Sequence, residues 1–291
     1  MHFDSILAVS DFSALSAHAL ERAALLARQH QIPLRLIHLD EGSNIHPPDP
    51  ISRLGQRARQ LARRHEISVL AIERSAPLEA VLAEAGASTL LVMSPLLQRS
   101  WKRFHRGTTL DQAVHGSLGP LLVVKQEPRQ AYKDALVAVD LSPRTEPLID
   151  FATRFSRPTA LKLFHAIDTI EESKLRSVQT SEEAIQANRL NSRQHARDRL
   201  AQVIGAVDLA SAGSKDPPLA FEVGNGDPAY TTALHQLSSQ AELVVVGKRQ
   251  SSPLARFFTG SVAQRLAKWA AGDVLIAPLD RLNVATAADR V

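Results

Sequence analysis

A repeat of domain length limits a fold more than any local pattern does, and this chain carries one. The run Ile6-Leu7-Ala8-Val9-Ser10-Asp11 returns as Ala135-Leu136-Val137-Ala138-Val139-Asp140, and Leu34-Arg35-Leu36-Ile37-His38 returns as Leu161-Lys162-Leu163-Phe164-His165. Leu90-Leu91-Val92-Met93 is matched by Leu243-Val244-Val245-Val246, and Leu121-Leu122-Val123-Val124 by Val274-Leu275-Ile276-Ala277. Asp11 and Asp140 lie 129 positions apart and His38 and His165 lie 127 apart, but Gly107 and Gly260 lie 153 apart. The second copy therefore holds an insertion after its second apolar run. With 291 residues, each copy has enough chain to bury a core of its own.

In the first copy, apolar runs at 5–10, 34–39, 67–73, 90–93 and 121–125 alternate with helix-patterned stretches at 14–30, 51–65, 78–86 and 108–116. Ser13 or Asp11 can cap the first helix, and Ala17, Leu20, Ala24 and Leu25 give it an apolar side. Near-continuous apolar strands separated by helices indicate a parallel sheet covered on both faces, and right-handed crossovers make it doubly wound. The expected fold is α/β: two tandem doubly wound modules, 1–128 and 133–291, each a five-stranded parallel sheet with helices on both faces. Strands of the second copy fall near 135–140, 161–165, 219–223, 243–246 and 274–277, with the insertion at about 168–215. That insertion is polar and carries Arg189, Arg193 and Arg197 at i, i+4 spacing, which predicts a long helix over 171–207 with a solvated basic face. The linker falls at 125–134, around Pro128.

Composition removes several classes of function. With no cysteine there are no disulfides, thiolate metal sites or cysteine nucleophiles. Eleven histidines are scattered without metal-ligand spacing, so no metal site is expected. Net charge is +4, with +3 in the first half and +1 in the second, which does not suit a dedicated nucleic-acid binder. Aromatic residues at 4% leave little to stack bases upon. The N-terminal residues do not read as a signal peptide and the longest apolar runs are too short to span a bilayer, so a cytoplasmic location is expected.

In a doubly wound sheet, ligands bind beyond the carboxyl ends of the strands near the point where strand order reverses. In the second copy those ends carry Asp140-Leu141-Ser142-Pro143, His165-Ala166, Gly224-Asn225-Gly226-Asp227-Pro228 and Gly247-Lys248-Arg249-Gln250, and the next helix opens at Gly260-Ser261-Val262. Glycines there would let backbone N–H groups approach phosphate oxygens, and the helix start would add a favourable field. Asp140 could accept a hydrogen bond from a base amine or a ribose hydroxyl. The plainer reading makes Gly247 a strand end, Gly260 a helix start, and Asp11 and Asp140 capping groups.

Taken together, strand–Asp–small residues–Ser, a Gly-x-Pro-like turn and Gly-x2-Gly-x9-Gly-(Ser/Thr) resemble the universal stress protein family over nearly the whole chain. The resemblance implies a Rossmann-like, adenine nucleotide alpha hydrolase-like module, pairing through the last strand, and in some members bound ATP. Carried over residue by residue, it implies a nucleotide site at Asp140, Leu141, Ser142, Ala166, Gly224, Gly247, Lys248, Arg249, Gly260, Ser261 and Val262, although Gln250 stands where the second glycine belongs. In the first copy the matching positions are Asp11, Ser94, Leu97, Gly107 and Thr108, a degenerate site with two glycines lost. ATP or ADP is thus expected only in the second module, with Mg²⁺ only alongside the nucleotide. Strands 121–125 and 274–277 end their modules and would pair as an intramolecular pseudo-dimer; a homo-dimer is a further option.

No P-loop, Gly-x-Ser-x-Gly elbow or His-x-Gly-His signature occurs, and nothing assembles a nucleophile, a base and an oxyanion site. His38 and His165 lie in buried strand patterns and read as hydrogen-bonded core residues. The basic-aromatic run Trp101–Arg106, answered by Arg256-Phe257-Phe258, reads as a loop anchored by an aromatic or as a contact to phosphate. The function expected is a non-catalytic stress-response protein that senses or stores a nucleotide, or offers a surface to partners. The alternatives are a slow ATPase and a binder of an apolar, lipid-like ligand.

Overall fold

The structure, a computed structural model, describes residues 3–40, 48–95, 107–157, 160–168, 182–210, 219–249 and 261–282. Contacts divide the chain into two units. The first is residues 1–131 together with 272–278, and the second is 132–271 together with 279–291.

In the first unit the order is β1 (Ser5–Ser10), α1 (Ala14–His30), β2 (Leu34–Leu39), α2 (Pro50–His65), β3 (Val69–Ala76), α3 (Leu78–Ala85), β4 (Thr89–Met93), α4 (Thr109–Gly116) and β5 (Leu121–Val123). Its strands stand in the order β3-β2-β1-β4-β5, all parallel, so the order reverses at β1. α1 packs on α2, and α3 on α4. Right-handed crossovers produce this grouping, one pair for each direction of winding. Ile6, Leu7, Leu34, Leu36, Ile37, Leu90 and Met93 are fully buried, as a sheet covered on both faces requires.

The second unit contains β6 (Asp134–Ala138), α5 (Thr145–Ser156), β7 (Ala160–Ile167), α6 (Glu182–Ala210), β8 (Leu219–Asn225), α7 (Pro228–Ser239), β9 (Leu243–Lys248) and α8 (Val262–Trp269). Strand order is β9-β6-β7-β8, again parallel, repeating the first unit's pattern from its fourth strand to its third. The expected α/β architecture is therefore present in both repeats.

Some boundaries differ from the sequence reading. β3 and β8 run longer than expected, because each is an outer strand whose partner continues beside it to Leu39 or Ile167. Among the described residues the inserted helix covers Glu182–Ala210, running past the expected end at 207; residues 171–181 lie outside the described residues. Arg189, Arg193 and Arg197 are exposed on it, while Ala196 and Leu200 are buried where it packs on β7, β8 and α5. On α1 the buried row is Ala19, Leu20, Ala23, Ala24 and Ala27. Ala17 and Leu25 are only half-buried, because the sheet takes the row one step around the helix.

The fifth strand of the second repeat, β10 (Asp273–Pro278), sits in the first unit. It pairs antiparallel with β5, with Val274 opposite Val123, Leu275 opposite Leu122 and Ile276 opposite Leu121. This is the last-strand pairing that the edge argument calls for, and it fits an intramolecular pseudo-dimer of the repeats. All six residues of β10 are buried. Asp273 opens the strand only 1% exposed, and its Oδ1 accepts hydrogen bonds from the backbone N–H of Lys125 (2.8 Å) and of Gln126 (3.2 Å). Its Oδ2 lies 3.5 Å from Nε of Arg22, a side chain almost equally buried, whose Nη1 donates to the Gln130 carbonyl at 2.7 Å.

Breaking a buried pair from one side leaves the other charge uncompensated, at a cost of about 3–5 kcal/mol. Arg22→Met should therefore lower the unfolding free energy by about 3 kcal/mol in denaturant titrations. Combined with Asp273→Leu, the total loss should be well below the sum of the two single losses. Strict additivity would mean that the two side chains do not interact.

Candidate functional site

Each repeat turns from its first strand into its first helix in the same way. In the second, Ser142 N–H donates to Oδ1 of Asp140 at 3.0 Å, and Leu141 between them takes a left-handed φ of 56°. In the first, Ser13 N–H donates to Oδ1 of Asp11 at 2.9 Å, and Phe12 has a φ of 59°. A carboxylate accepting from the backbone two residues ahead stabilises such a turn without any ligand. Ser13 then caps α1 by accepting from Ser16 N–H at 3.1 Å. Capping thus falls to Ser13, and Asp11 shapes the turn that precedes it.

The second repeat adds charge at this turn. Arg249, just beyond β9, donates from Nη2 to Oδ2 of Asp140 at 3.0 Å. Burial raises the Asp140 pKa, but the Ser142 hydrogen bonds and Arg249 outweigh it and hold the carboxyl below its ordinary value. The adjacent Lys248 ends β9, and burial pulls its amine down to about 8. Arg144, at the start of α5, pairs with Asp280. Asp140, Lys248 and Arg249 thus bring charged groups together at the carboxyl ends of β6 and β9.

Gly224 and Gly247 have packing duties. A Cβ on Gly224 would stand 2.6 Å from the Phe164 ring, which stacks on His235 at 4.6 Å. A Cβ on Gly247 would stand 2.6 Å from the Leu279 side chain. Ala166 lies in β7, in register with Gly224 on β8. Leu97, Gln250, Gly260 and the segments around Trp101–Arg106 and Arg256–Phe258 lie outside the described residues.

The two helix starts that follow the fourth strands differ by one charge. In the first repeat, Thr108 and Asp111 form a capping box: Oδ2 of Asp111 accepts from Thr108 N–H at 2.9 Å and from its hydroxyl at 2.7 Å. Gly107, at φ 75°, lies against the same carboxylate. The positive end of α4 is thereby matched to a carboxylate of its own chain. In the second repeat, Ser261 caps α8 by accepting from Gln264 N–H at 3.3 Å, and the residue at the Asp111 position is the neutral Gln264. Ser261 is exposed and Val262 half-buried. Ser94, which matches Gly247, is buried, and its hydroxyl has no partner among the described residues.

Sequence reading missed a further ion pair. Asp227 caps α7 by accepting from Tyr230 N–H at 2.9 Å, and Arg265 of α8 reaches its other oxygen at 2.5 Å. Asp-Pro before a helical pattern signals the cap, but no local signal points to Arg265. His38 is a buried, hydrogen-bonded residue as expected, whereas His165 is hydrogen-bonded but only half-buried. His38 Nδ1 lies 2.7 Å from the Ser75 hydroxyl, and His165 Nδ1 lies 2.9 Å from the Val139 carbonyl. Among the described residues, no three His, Asp or Glu side chains cluster as metal ligands, and no helix is long and apolar enough to cross a membrane.

The universal stress protein family model matches residues 2–125 and again 131–278. This chain belongs to the universal stress protein family. No curated protein matches it. Among solved structures, a universal stress protein from Archaeoglobus fulgidus DSM 4304 is similar at 15% identity and a TM-score of 0.61, over 94% of this chain and 96% of that one. A functionally unknown protein from Pseudomonas aeruginosa PAO1 is similar at 19% identity and 0.61, over 98% of both chains. At these identities the likeness concerns the fold, here the tandem arrangement of two universal stress protein repeats.

Lys248 gives the site a pH signature. Its folded pKa of about 8 lies below the ordinary 10.5, so the unfolded state binds more protons between those values. Stability from this group is lost as pH falls through 8 and is regained as pH rises toward 10.5. Lys248→Met should raise unfolding free energy near neutral pH by roughly 1 kcal/mol. That advantage over the parent protein should shrink in denaturant titrations at higher pH, and a constant advantage would refute it.

Proposed function

We propose that this universal stress protein is a non-catalytic stress-response protein that holds one adenine nucleotide, ATP or ADP, in its second repeat. The observation carrying this reading is the charge difference between the helix starts. α4 meets its own Asp111 carboxylate, which would repel a phosphate, whereas α8 has Ser261 and the neutral Gln264 there. Lys248 and Arg249 add positive charge at the end of β9, and Asp140 offers a carboxylate to the base or ribose. In this reading Leu141, Ser142 and Ala166 border the nucleotide, Gly260, Ser261 and Val262 receive its phosphates, and Mg²⁺ enters only with it. Gly224 and Gly247 contribute by letting Phe164 and Leu279 pack close beneath the site. The first repeat, with Asp11, Ser94, Gly107 and Thr108, stays empty of nucleotide.

Calorimetric titration of the whole protein with ATP–Mg²⁺ tests this. One site per chain is expected, weakened about tenfold by Gln264→Asp, the effect of a unit charge at a helix terminus in a favourable geometry. Asp140→Ala should also weaken it, whereas Asp11→Ala should leave it unchanged. Two equal sites, or a loss confined to Asp11→Ala, would overturn the assignment.

A further inference from the structure

The first unit carries a basic groove that the repeat does not require. α2 holds Arg53, Arg57, Arg59, Arg63 and Arg64 and no acidic residue. The helix between the second and third strands of the other repeat, α6, sets four arginines against four acids: Glu182, Glu183, Asp198 and Asp208. A structural need common to both repeats would not treat the two helices so differently.

The arginines surround concave surface. Leu54, Ala58, Leu61 and His65 are the buried residues of α2. On its α1 side a cavity of about 250 Å³ is bounded by Phe12, Ser13, Ala17 and Leu20 and, opposite them, by Arg53 and Arg57. The Arg53 guanidinium lies over the Phe12 ring, 4.8 Å from its centroid, and that ring stacks on His38 at 5.0 Å. Arg57 bonds Gln60 at 2.8 Å, and Arg53 makes no ion pair among the described residues. Ser13 places the positive end of the 17-residue helix α1 at the same cavity. A shallower recess of about 460 Å³, lined by Arg59, Arg63 and Arg64, continues along α2 past Gln56 and Gln60. Of the carboxylates nearby, Asp11 accepts from Ser13 N–H, Asp49 accepts from Ser52 N–H, and Glu21 pairs with Arg64 and His65 at the far end of α2.

We propose that this cavity is a binding site for a small phosphate ester, held at its phosphate by Arg53 and Arg57 and at its carbon body by Phe12, Ala17 and Leu20. Guanidinium forks match phosphate geometry, and the helix start adds to their field. At about 250 Å³ the cavity falls below the ~300–1,000 Å³ of pockets that enclose drug-sized ligands. A three- to six-carbon ester suits that size by order of magnitude, and a whole nucleotide does not. Its concavity and apolar floor favour a small molecule over a polymer backbone, which would need charge spread along an open surface. The site lies in the other repeat from the proposed nucleotide and does not depend on it.

Titration calorimetry of the full chain with glycerol 3-phosphate tests the proposal, with inorganic phosphate and a short DNA duplex as competing probes. Saturable binding of the ester is expected, weakened about tenfold or more in Arg53→Ala/Arg57→Ala, the loss of charge-assisted hydrogen bonds. Ala17→Trp, which fills the cavity and keeps every charge, should weaken it likewise. Arg59→Ala/Arg63→Ala and Asp140→Ala should leave it within about twofold, the latter separating this site from the nucleotide site. The proposal is overturned by absent binding, by Ala17→Trp binding as well as the parent, or by inorganic phosphate binding equally well. It is overturned too if DNA binds in preference and is lost with Arg59 and Arg63.

Discussion

Everything in the first unit rests on how the free edge of β5 is closed. A three-residue apolar strand at a sheet edge exposes unpaired N–H and C=O groups and invites association. β10 answers that edge with an antiparallel run of its own, fully buried. Asp273 fixes the entry of that run: its carboxylate accepts two backbone N–H groups after β5 and meets the buried Arg22 of α1. Because β10 is buried along its whole length, no alternation of buried and exposed faces sets its register. A buried charge that must find its partners admits few alternatives, so Asp273 selects one register for Val274, Leu275 and Ile276.

The same duplication that built the fold has released its two halves to diverge. Both keep the Asp–x–Ser turn, with a left-handed residue at Phe12 or Leu141. They part where charge matters. Asp111 gives α4 an internal anion at its start, while α8 has Gln264 in that place. Conversely, α2 concentrates arginine beside Phe12, while the acids of α6 balance its arginines. Electrostatics thus differs between repeats although the backbone pattern is shared.

Much of this was legible in the sequence because apolar runs and their spacing report burial directly. The strands, the repeat, the insertion and the pairing of the two final strands could all be argued from pattern. The capping box at Thr108 and Asp111, and its consequence for anion binding, emerged only with the geometry. What was hidden depends on residues far apart in the chain. Gly224 and Gly247 look like phosphate-approach glycines, yet Phe164 and Leu279 occupy the space a side chain would need. Arg22 pairs with Asp273, and Arg265 with Asp227, across separations that no periodicity encodes. The cavity between α1 and α2 escaped notice because Ala17 reads as a core position and is in fact a wall.

β10 is an integral strand of the first unit. Native-state hydrogen exchange, resolved by residue, measures this directly. The amides of β5 and β10 should share one protection level, and Asp273→Asn should lower both together while β6, β7 and β8 keep theirs. Protection of β10 that follows β6, β7 and β8 and ignores β5 would contradict it.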